Sequence, residues 1–370
     1  MKKKLQQPLA ITMWDFSWLE RRWPGAGFED WIQCLDELKD RGYDAIRIEA
    51  YPHLLSAAPD SEWVLLPVWN QQDWGSPAKI RVNIKNNLLE FLSLCRDRGI
   101  LVALSTWFRE DNENTRMNIK NPQQHGQIWV DTLNIISKAG LLDTIFYVDL
   151  CNEFSISCWT PFLPAALGKD RIFRKSEEGT EWMKSSIEHV RRHFPDLDYC
   201  FSVCDEYDTL FQQDTTFLDL FEPHIWMAQS SEFYNLVGYN YERFDSIGYE
   251  NLVEKGEKIY RLNPEYWKKV LGNAIQKISS WSEQSGKPLI TTECWGVVDY
   301  KDWPGLNWNW VKELCEFGTI EASRTGRWIS IATSNFCAPQ FRGMWNDINW
   351  HKRLTDIIHQ GKLPEFNSNK

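Results

Sequence analysis

The sequence predicts an α/β fold, a (β/α)8 TIM barrel formed by a single domain with long loops on its C-terminal face. Eight short apolar runs alternate with longer amphipathic segments along the 370 residues, which is typical of parallel strands joined by helices. Several amphipathic segments end at a glycine, as helices commonly do: Gly42, Gly99, Gly140 and Gly286. No linker or low-complexity segment separates the units, which favours one barrel over the whole chain.

Each predicted strand is a short apolar run. In chain order the strands cover residues 9–16, 44–51, 100–108, 144–153, 199–206, 222–228, 288–296 and 327–335. The helical patterns cover residues 28–41, 81–98, 123–139, 176–194, 264–285, 308–325 and 350–360. The fifth unit is the weakest, because only a poor helical stretch near FLDLF, at 217–221, joins its strand to the sixth.

A doubly wound open sheet is the alternative fold. Its first strand-to-helix turn would be DFSWLERRWPGAGFED, which lacks the G-x-G-x-x-G pattern that cradles a pyrophosphate. The barrel is therefore favoured. We predict one catalytic domain over residues 1–370, with short disordered ends at about 1–7 and 364–370.

Composition excludes several classes of partner. The formal net charge is −10, so the protein repels phosphate backbones and anionic membrane surfaces, and we expect neither nucleic acid nor membrane as a partner. The basic residues at 2–4 precede LQQP rather than the apolar stretch of a signal peptide, and no apolar run is long enough to span a bilayer. Nine cysteines without Cys-x-x-Cys spacing fit reduced thiols, so we predict a cytoplasmic location.

Tryptophan is unusually abundant, with 21 residues. Its flat apolar face and edge N–H suit the C–H faces of sugar rings, although core packing explains many tryptophans equally well. The C-terminal ends of barrel strands converge on one face, where catalysis takes place. The predicted strand ends carry polar and aromatic residues that core packing does not require: Trp14, Asp15, Arg47, Glu49, Trp107, Asn152, Glu153, Asp205, Glu206, His224, Trp226, Glu293, Trp295 and Asn335.

Two carboxylates stand out at these ends. Glu153 ends the fourth predicted strand and Glu293 the seventh, so we expect them to face each other across the barrel mouth. Cleavage of a glycosidic bond needs such a pair: one carboxylic acid protonates the leaving oxygen, and the other carboxylate attacks the anomeric carbon or activates water. A lone Asn-Glu dipeptide is a weak signal, but its position after a buried strand is more specific.

The strand ends LCNEF and TTECWG, with Arg47 on the second strand and PHIW on the sixth, resemble the cellulase-like clan of (β/α)8 retaining glycoside hydrolases. That clan includes cellulases, β-mannanases and β-galactosidases, and a bacterial cellulase-like group is the most similar. The resemblance implies that Glu153 is the general acid/base, Glu293 the nucleophile and Asn152 the partner of the sugar 2-hydroxyl. Arg47 would keep Glu293 ionised, and no cofactor or metal is implied.

The sixth strand departs from the clan's pattern. His224 matches, but the clan usually places a tyrosine two residues later, which bonds the nucleophile, and here that residue is Trp226. Tyr239 or Tyr241 in the following loop is a possible substitute. The eighth strand departs as well: it ends in Asn335 and Phe336 where the clan has a tryptophan, and Trp345 is the nearest replacement.

We assign substrate contacts to ten residues: Asn152, Arg47, His224, Trp226, Trp295, Trp107, Trp14, Asp15, Asn335 and Tyr239. Packing beneath loops is an equal alternative for Trp14, Trp107 and Trp295, and Arg47 could instead form a structural ion pair with Glu49.

The predicted function is retaining hydrolysis of β-glycosidic bonds in small glycosides or oligosaccharides. Long segments after several strands, at 51–80, 108–122, 154–175 and 227–262, suggest a walled pocket rather than an open groove. A carbohydrate is therefore the expected partner. A non-catalytic carbohydrate-binding barrel and a transglycosylase with the same glutamate pair remain alternatives, and the oligomeric state stays open.

Overall fold

Eight parallel strands form the barrel in the computed structural model, which describes residues 2–204, 207–230, 232–240 and 245–365. In chain order they are β1 Leu9–Asp15, β2 Ala45–Glu49, β3 Leu101–Ser105, β4 Ile145–Asp149, β5 Tyr199–Cys200, β6 Ile225–Trp226, β7 Leu289–Thr291 and β8 Trp328–Ala332. Seven of them form one sheet in the order β5-β4-β3-β2-β1-β8-β7. The predicted barrel and its eight strands are confirmed.

The sixth strand closes the barrel between β5 and β7. The backbone N–H of Val203 donates to the carbonyl of Glu222 at 3.0 Å, and that of Ile290 donates to the carbonyl of Phe221 at 3.0 Å. Beyond β7 a short strand, Cys294–Trp295, pairs in parallel with β6. These bonds bring the ends of β4, β6 and β7 onto one face of the barrel.

The α-helices cover the outside of the barrel and parts of the long loops. They are Ser17–Glu20, Trp31–Asp40, Pro52–Ala57, Ile84–Asp97, Pro122–Lys138, Phe162–Leu167, Glu177–His193, Glu232–Val237, Ser246–Asn251, Glu257–Leu262, Pro264–Ser285, Asn309–Thr325, Arg342–Trp345 and Ile348–His359. Shorter 3-10 turns are Thr115–Asn118, Leu142–Thr144, Tyr207–Gln212 and Met227–Ser230; Leu252–Gly256 is a π-helix, and Trp63–Leu65 pairs with Ile80–Val82 as a hairpin. Among the described helices, none has the length and apolar character needed to cross a membrane.

Local sequence explains where the outer helices begin and end. The Asp30 side chain accepts hydrogen bonds from the backbone N–H groups of Ile32 and Gln33, which caps the first long helix. Gly286 takes a φ of 69° after the longest helix, a conformation in which other residues are strained. The glycine stop signals predicted from sequence are confirmed, since Gly42, Gly99 and Gly140 also have positive φ.

The predicted helical stretch at 217–221 is wrong. The helical turn in this unit is Tyr207–Gln212, and the later segment leads into the barrel wall. The backbone N–H of Phe221 donates to the carbonyl of Pro288 at 2.9 Å, while Leu218 and Leu220 are buried. The apolar residues that looked helical therefore face the core from extended chain.

The predicted disordered ends fall partly outside the described residues and stay a prediction. Within the described part, the backbone N–H of Lys2 donates to the carboxylate of Asp198 at 2.9 Å.

Candidate active site

A pocket of about 620 Å³ lies at the C-terminal ends of the barrel strands. Seven of the residues predicted from sequence line it: Asp15, Trp107, Asn152, Glu153, Trp226, Glu293 and Asn335. Arg47 and His224 are fully buried and contact the two glutamates. The structure therefore brings most of the predicted site together in one place.

Glu153 follows β4 in a left-handed backbone conformation, with a φ of 47°. Its backbone N–H donates to Ser202 Oγ at 2.9 Å, which fixes the turn. Its side chain accepts from His224 Nδ1 at 3.0 Å and from Trp159 Nε1 at 3.3 Å. The carboxylate is thus held by two donors while 13% of the side chain stays exposed to the pocket.

Glu293 approaches from beyond β7. Arg47 Nη1 donates to its Oε1 at 3.0 Å, and His224 Nδ1 lies 3.6 Å from the same oxygen. One carboxylate oxygen of Glu293, one of Glu153 and a ring nitrogen of His224 all lie within 4.8 Å of one another. The two carboxylates are therefore close enough to act on the same sugar carbon and its leaving oxygen.

Arg47 connects the whole centre. Its guanidinium contacts Asp149 at 2.6 Å, Glu222 at 3.3 Å and Asn152 Oδ1 at 2.7 Å. The alternative pairing of Arg47 with Glu49 is wrong, because the Glu49 carboxylate instead accepts backbone N–H groups at the start of the neighbouring loops.

Two members of this centre, Asp149 and Glu222, were missed in the sequence. The available signal was an acidic residue within each apolar strand run, in YVDLC and FEPHIW. Such residues cost desolvation unless they are paired. In the structure both carboxylates pair with Arg47.

Charge balance sets the protonation of the pair. Two cations, Arg47 and His224, face four carboxylates: Asp149, Glu222, Glu153 and Glu293. Burial raises the pKa of Glu293 to about 7, with the Glu153 charge adding to the rise and the His224 and Arg47 charges opposing it. The glutamate pair therefore retains a proton up to near-neutral pH.

The pKa of Glu153 shifts in the opposite direction to that of Glu293 despite burial, because His224 donates a hydrogen bond to Glu153. Burial favours its neutral form, but the His224 hydrogen bond and charge and the Trp159 donor together lower its pKa below the usual value. Burial likewise opposes the charge on His224, yet the surrounding glutamates raise its pKa to about 10. Of the two glutamates, Glu293 therefore holds a proton more strongly, so the prediction that Arg47 keeps Glu293 ionised is wrong, and His224 is a cation.

The spacing of Glu153, His224 and Glu293 could also accommodate a metal ion. A metal ligand must be the neutral imidazole, whereas His224 is held protonated and donates through Nδ1 to Glu153. A metal ion at this site would therefore have to displace the proton of His224.

Two predicted substrate contacts, Trp14 and Trp295, are wrong. Trp14 is fully buried on the outer side of β1 and packs edge-on against Phe28 at 5.1 Å. Trp295 is also fully buried, donates from Nε1 to the carbonyl of Ala332 at 2.9 Å and packs on Trp328. Both side chains lie in the layer between strands and helices rather than in the pocket.

The substitutes proposed for the clan's tyrosine are not supported. Tyr239 packs on Tyr234 and Tyr249, with ring centroids 4.8 and 5.7 Å away, and burial together with the nearby Asp299 charge raises its pKa. It does not line the pocket, so that prediction is wrong. Three other predicted positions, Tyr241, Asp205 and Glu206, lie outside the described residues.

Trp345 is not the replacement for the tryptophan of the eighth strand. It packs against Trp14 and donates to Glu37 at 2.7 Å, away from the pocket. Trp74, from the loop after β2, lines the pocket instead and packs on Phe336 with ring centroids 6.0 Å apart. No signal in the sequence indicates that Trp74 rather than Trp345 packs beside the end of the eighth strand, because Trp74 and Phe336 are far apart in the chain.

A second aromatic contact forms the wall beside Glu153. Trp69, after β2, meets Trp159, after β4, with ring centroids 4.9 Å apart in an edge-to-face arrangement. Both residues line the pocket. The predicted excess of tryptophan at the mouth is therefore present, but most of it comes from long loops rather than strand ends.

Known families and structures resemble the chain closely. A family model described as sugar-binding cellulase-like matches residues 11–359. The crystal structure of a provisionally assigned glycoside hydrolase from Parabacteroides distasonis is 51% identical, covers 98% of this chain and 97% of its own, and has a TM-score of 0.95. A comparison with curated proteins finds no match.

More distant structures share the fold alone. The endo-β-1,4-mannanase of Thermotoga petrophila has a TM-score of 0.57 at 9% identity, with 97% of this chain and 78% of that chain covered. Cel5A of Thermotoga maritima, in complex with a mannotriose substrate, has a TM-score of 0.52 at 14% identity, with 95% and 97% covered.

Proposed function

Because this chain belongs to the sugar-binding cellulase-like family and is a glycoside hydrolase, we propose that it cleaves β-glycosidic bonds with retention of configuration. The observation that carries this proposal is the proximity of Glu153 and Glu293, an oxygen of each lying within 4.8 Å of the other. Retaining enzymes place their carboxyl groups about 5 to 5.5 Å apart, whereas inverting enzymes need about 6.5 to 9.5 Å to admit a water.

In this proposal Glu293 attacks the anomeric carbon while Glu153 protonates the leaving oxygen. The resulting glycosyl-enzyme is then hydrolysed by a water that Glu153 deprotonates. Position supports this division of roles: Glu293 lies on Arg47, the inner cation, and Glu153 lies beside the exposed loop after β4. Asn152 Oδ1 accepts from Arg47, and Nδ2 has no hydrogen-bond partner among the residues that the structure describes, so Nδ2 can donate to a sugar hydroxyl.

The proton must move from Glu293 to Glu153 before the first step. His224 Nδ1 lies 3.0 Å from an oxygen of Glu153 and 3.6 Å from an oxygen of Glu293. A protonated imidazole in that position gives its proton to Glu153 and recovers one from Glu293 with little movement. The pair then holds the same number of protons in the resting and the reactive form.

The proposed substrates are small glycosides or oligosaccharides, in line with a walled pocket of about 620 Å³. We infer a cytoplasmic location from the buried, reduced thiols, among them Cys95, Cys151 and Cys294. A transglycosylase would use the same residues and differ only in the acceptor. A non-catalytic carbohydrate-binding barrel is less favoured, because sugar binding alone does not require the two carboxylates of Glu153 and Glu293 to lie beside the same cation, His224.

The test is hydrolysis of a panel of nitrophenyl β-glycosides, with the first anomer of the released sugar followed by proton NMR. We expect the β-anomer to appear first and the α-anomer only through mutarotation. Initial release of the α-anomer would rule out the double displacement. Addition of methanol separates the transglycosylase alternative, which predicts methyl glycoside as the main product.

The pH dependence of kcat/KM follows from the proton count of the pair. The reactive form holds one proton, and the pKa of about 7 on Glu293 describes its loss. A second proton binds only below the usual range of glutamate, because His224 lowers the pKa of Glu153. We therefore expect activity to be highest at mildly acidic pH and to fall as pH rises through about 7. A profile that rises through neutral pH would contradict this proton count.

A further inference from the structure

The pocket has one buried end and one exposed end. The lining residues at the ends of β1 and β8 and in the loops after β2 and β7 are almost completely inaccessible: Asp15, Gln72, Asp299 and Asn335. The exposed lining residues belong to the loop after β4: Ser157, Cys158 and Arg171, although Trp159 of the same loop is buried. A ligand therefore enters beside β4 and reaches a closed end beneath the loops on the opposite side.

A bridge between two loops closes the buried end. Lys301 Nζ, after β7, donates to the carbonyl of Gln71, after β2, at 2.7 Å. The backbone N–H of Asp302 donates to the carboxylate of Asp73 at 3.2 Å. Since β1 and β8 lie between β2 and β7 in the sheet, the bridge passes over their ends.

Contacts with the segment after β8 support this bridge. Trp74 packs on Phe341 with ring centroids 4.4 Å apart, beside its contact with Phe336. Asp302 Oδ1 accepts from Trp308 Nε1 at 2.8 Å and from the backbone N–H of Gly343 at 3.0 Å. The closed end is thus held by three loops rather than by one.

The position of Glu153 orients the sugar in this pocket. The acid/base lies beside the leaving oxygen, so the leaving group occupies the exposed end next to the loop after β4. The sugar that is cleaved off must then extend in the other direction, toward the ends of β1 and β8. That direction is the one closed by the bridge.

Two buried side-chain oxygens at the closed end could accept hydrogen bonds from the hydroxyl groups of a sugar. Among the described residues, none gives Asp299 Oδ2 a hydrogen bond of good geometry, although the Gln72 and Tyr239 side chains lie near this carboxyl. Asn335 Nδ2 donates to the carbonyl of Val298 at 3.1 Å, which leaves its Oδ1 as a second unpaired acceptor. Buried polar atoms without partners are unfavourable, and the hydroxyl groups of a sugar would satisfy both.

No cation of the described residues lines the closed end, since Lys301 of the bridge is outside the pocket lining and its Nζ donates to the Gln71 carbonyl. Among the residues that the structure describes as lining the pocket, Arg171 is the one lysine or arginine, and it lies at the exposed end. Burial raises the pKa of Asp15 well above its usual value and that of Asp299 to about 8, so neither carboxyl offers a charge near pH 7. A sugar carboxylate at the closed end would be buried there without a counter-charge, which is unfavourable. The site therefore suits an uncharged sugar.

We propose, on the basis of the proposed function, that this enzyme is exo-acting: it removes one uncharged terminal β-linked sugar, whose hydroxyls bind Asp299 and Asn335. The bridge leaves no place for a further sugar unit beyond it. Asp299 is then a specificity-determining residue.

The first test compares nitrophenyl β-glycosides with the matching nitrophenyl β-1,4-disaccharides and with β-glucuronides. From the disaccharides we expect free monosaccharide at once and nitrophenol only after a lag, with no turnover of the glucuronide. Immediate nitrophenol accompanied by intact disaccharide would overturn the proposal, as would efficient cleavage of the glucuronide.

A second test uses Asp299→Ala with the 4-deoxy and 6-deoxy forms of the best aryl glycoside. We expect KM for the parent substrate to rise by about tenfold or more, with a smaller change in kcat. For at least one deoxy substrate the variant and the wild type should agree, because the hydroxyl that binds Asp299 is missing. An equal penalty on every substrate would indicate a structural role. The control is Asp60→Ala, an exposed aspartate.

A binding measurement separates this proposal from the proposed function. If no glycoside turns over, the proposed hydrolysis fails, and calorimetry with gluco-, galacto- and manno-configured 1-deoxynojirimycin decides the present inference. Binding of a single-sugar analogue, weakened at least about tenfold by a 4-O-glycosyl extension, supports the closed end. Equal or tighter binding of the extended form, or no binding of either, contradicts it.

Discussion

Replacement of Glu293 by alanine is expected to lower kcat for an aryl β-glycoside by about 10⁴-fold or more. The variant lacks the oxygen that would bond to the anomeric carbon, while Glu153 and the other residues that line the pocket remain to bind the substrate. Stopped assays with a nitrophenyl substrate measure the loss. The matched control is Glu265→Ala, which removes an 84% exposed carboxylate and should leave kcat unchanged.

Azide distinguishes the role of Glu293 from that of Glu153. In Glu293→Ala, azide fills the vacated space beneath the sugar and should yield an α-glycosyl azide. In Glu153→Ala, a good leaving group still departs without acid assistance, and azide attacks the glycosyl-enzyme to give a β-glycosyl azide. The opposite pair of products would mean that the roles are exchanged, which is the assignment that the raised pKa of Glu293 and the lowered pKa of Glu153 would favour by themselves.

The expectation that site residues lie at the C-terminal ends of the strands predicted the centre of the site well, because the parallel strands of a barrel bring residues that are distant in sequence together. It failed for Trp14 because side chains alternate along a strand: Met13 and Asp15 line the pocket, so the residue between them points outward. It failed for Trp295 because the chain changes partners after Thr291, and the short strand Cys294–Trp295 pairs with β6 in a new register.

The loop residues could not be predicted in the same way. Trp69, Trp74, Trp159 and Asp299 reach the pocket through loop contacts that have no sequence period. The bridge beside Asp299 joins Gln71 to Lys301, which are 230 residues apart in the sequence. Only the folded barrel shows that these two segments meet. The specificity of the site therefore depends on the part of the chain that pattern analysis describes least.

The largest expected effect on stability comes from Arg47→Met. Arg47, Asp149 and Glu222 are fully buried, and the arginine is the shared cation for both carboxylates. Methionine fills much of the volume but leaves the buried Asp149 without a cation and Glu222 with His224 alone, whose Nε2 lies 3.8 Å away. We therefore expect a loss of about 3 to 5 kcal/mol in the free energy of unfolding. Urea titration followed by tryptophan fluorescence measures it. The control is Arg324→Met, an arginine that is 71% exposed in its pair with Glu321, where the change should stay below about 1 kcal/mol.

The pH dependence of that loss identifies its cause. Without Arg47, the folded-state pKa values of Asp149 and Glu222 should rise above their unfolded values, so the folded variant takes up protons as the pH falls. Protonation then relieves the uncompensated charge, and the gap between variant and wild type should narrow at acidic pH and widen above neutrality. If lost packing were the cause instead, the gap would be the same at every pH. Asp149→Asn in the Arg47→Met background should recover part of the stability by removing one unpaired charge, and a further loss in that double variant would contradict the charge-balance account of the barrel centre.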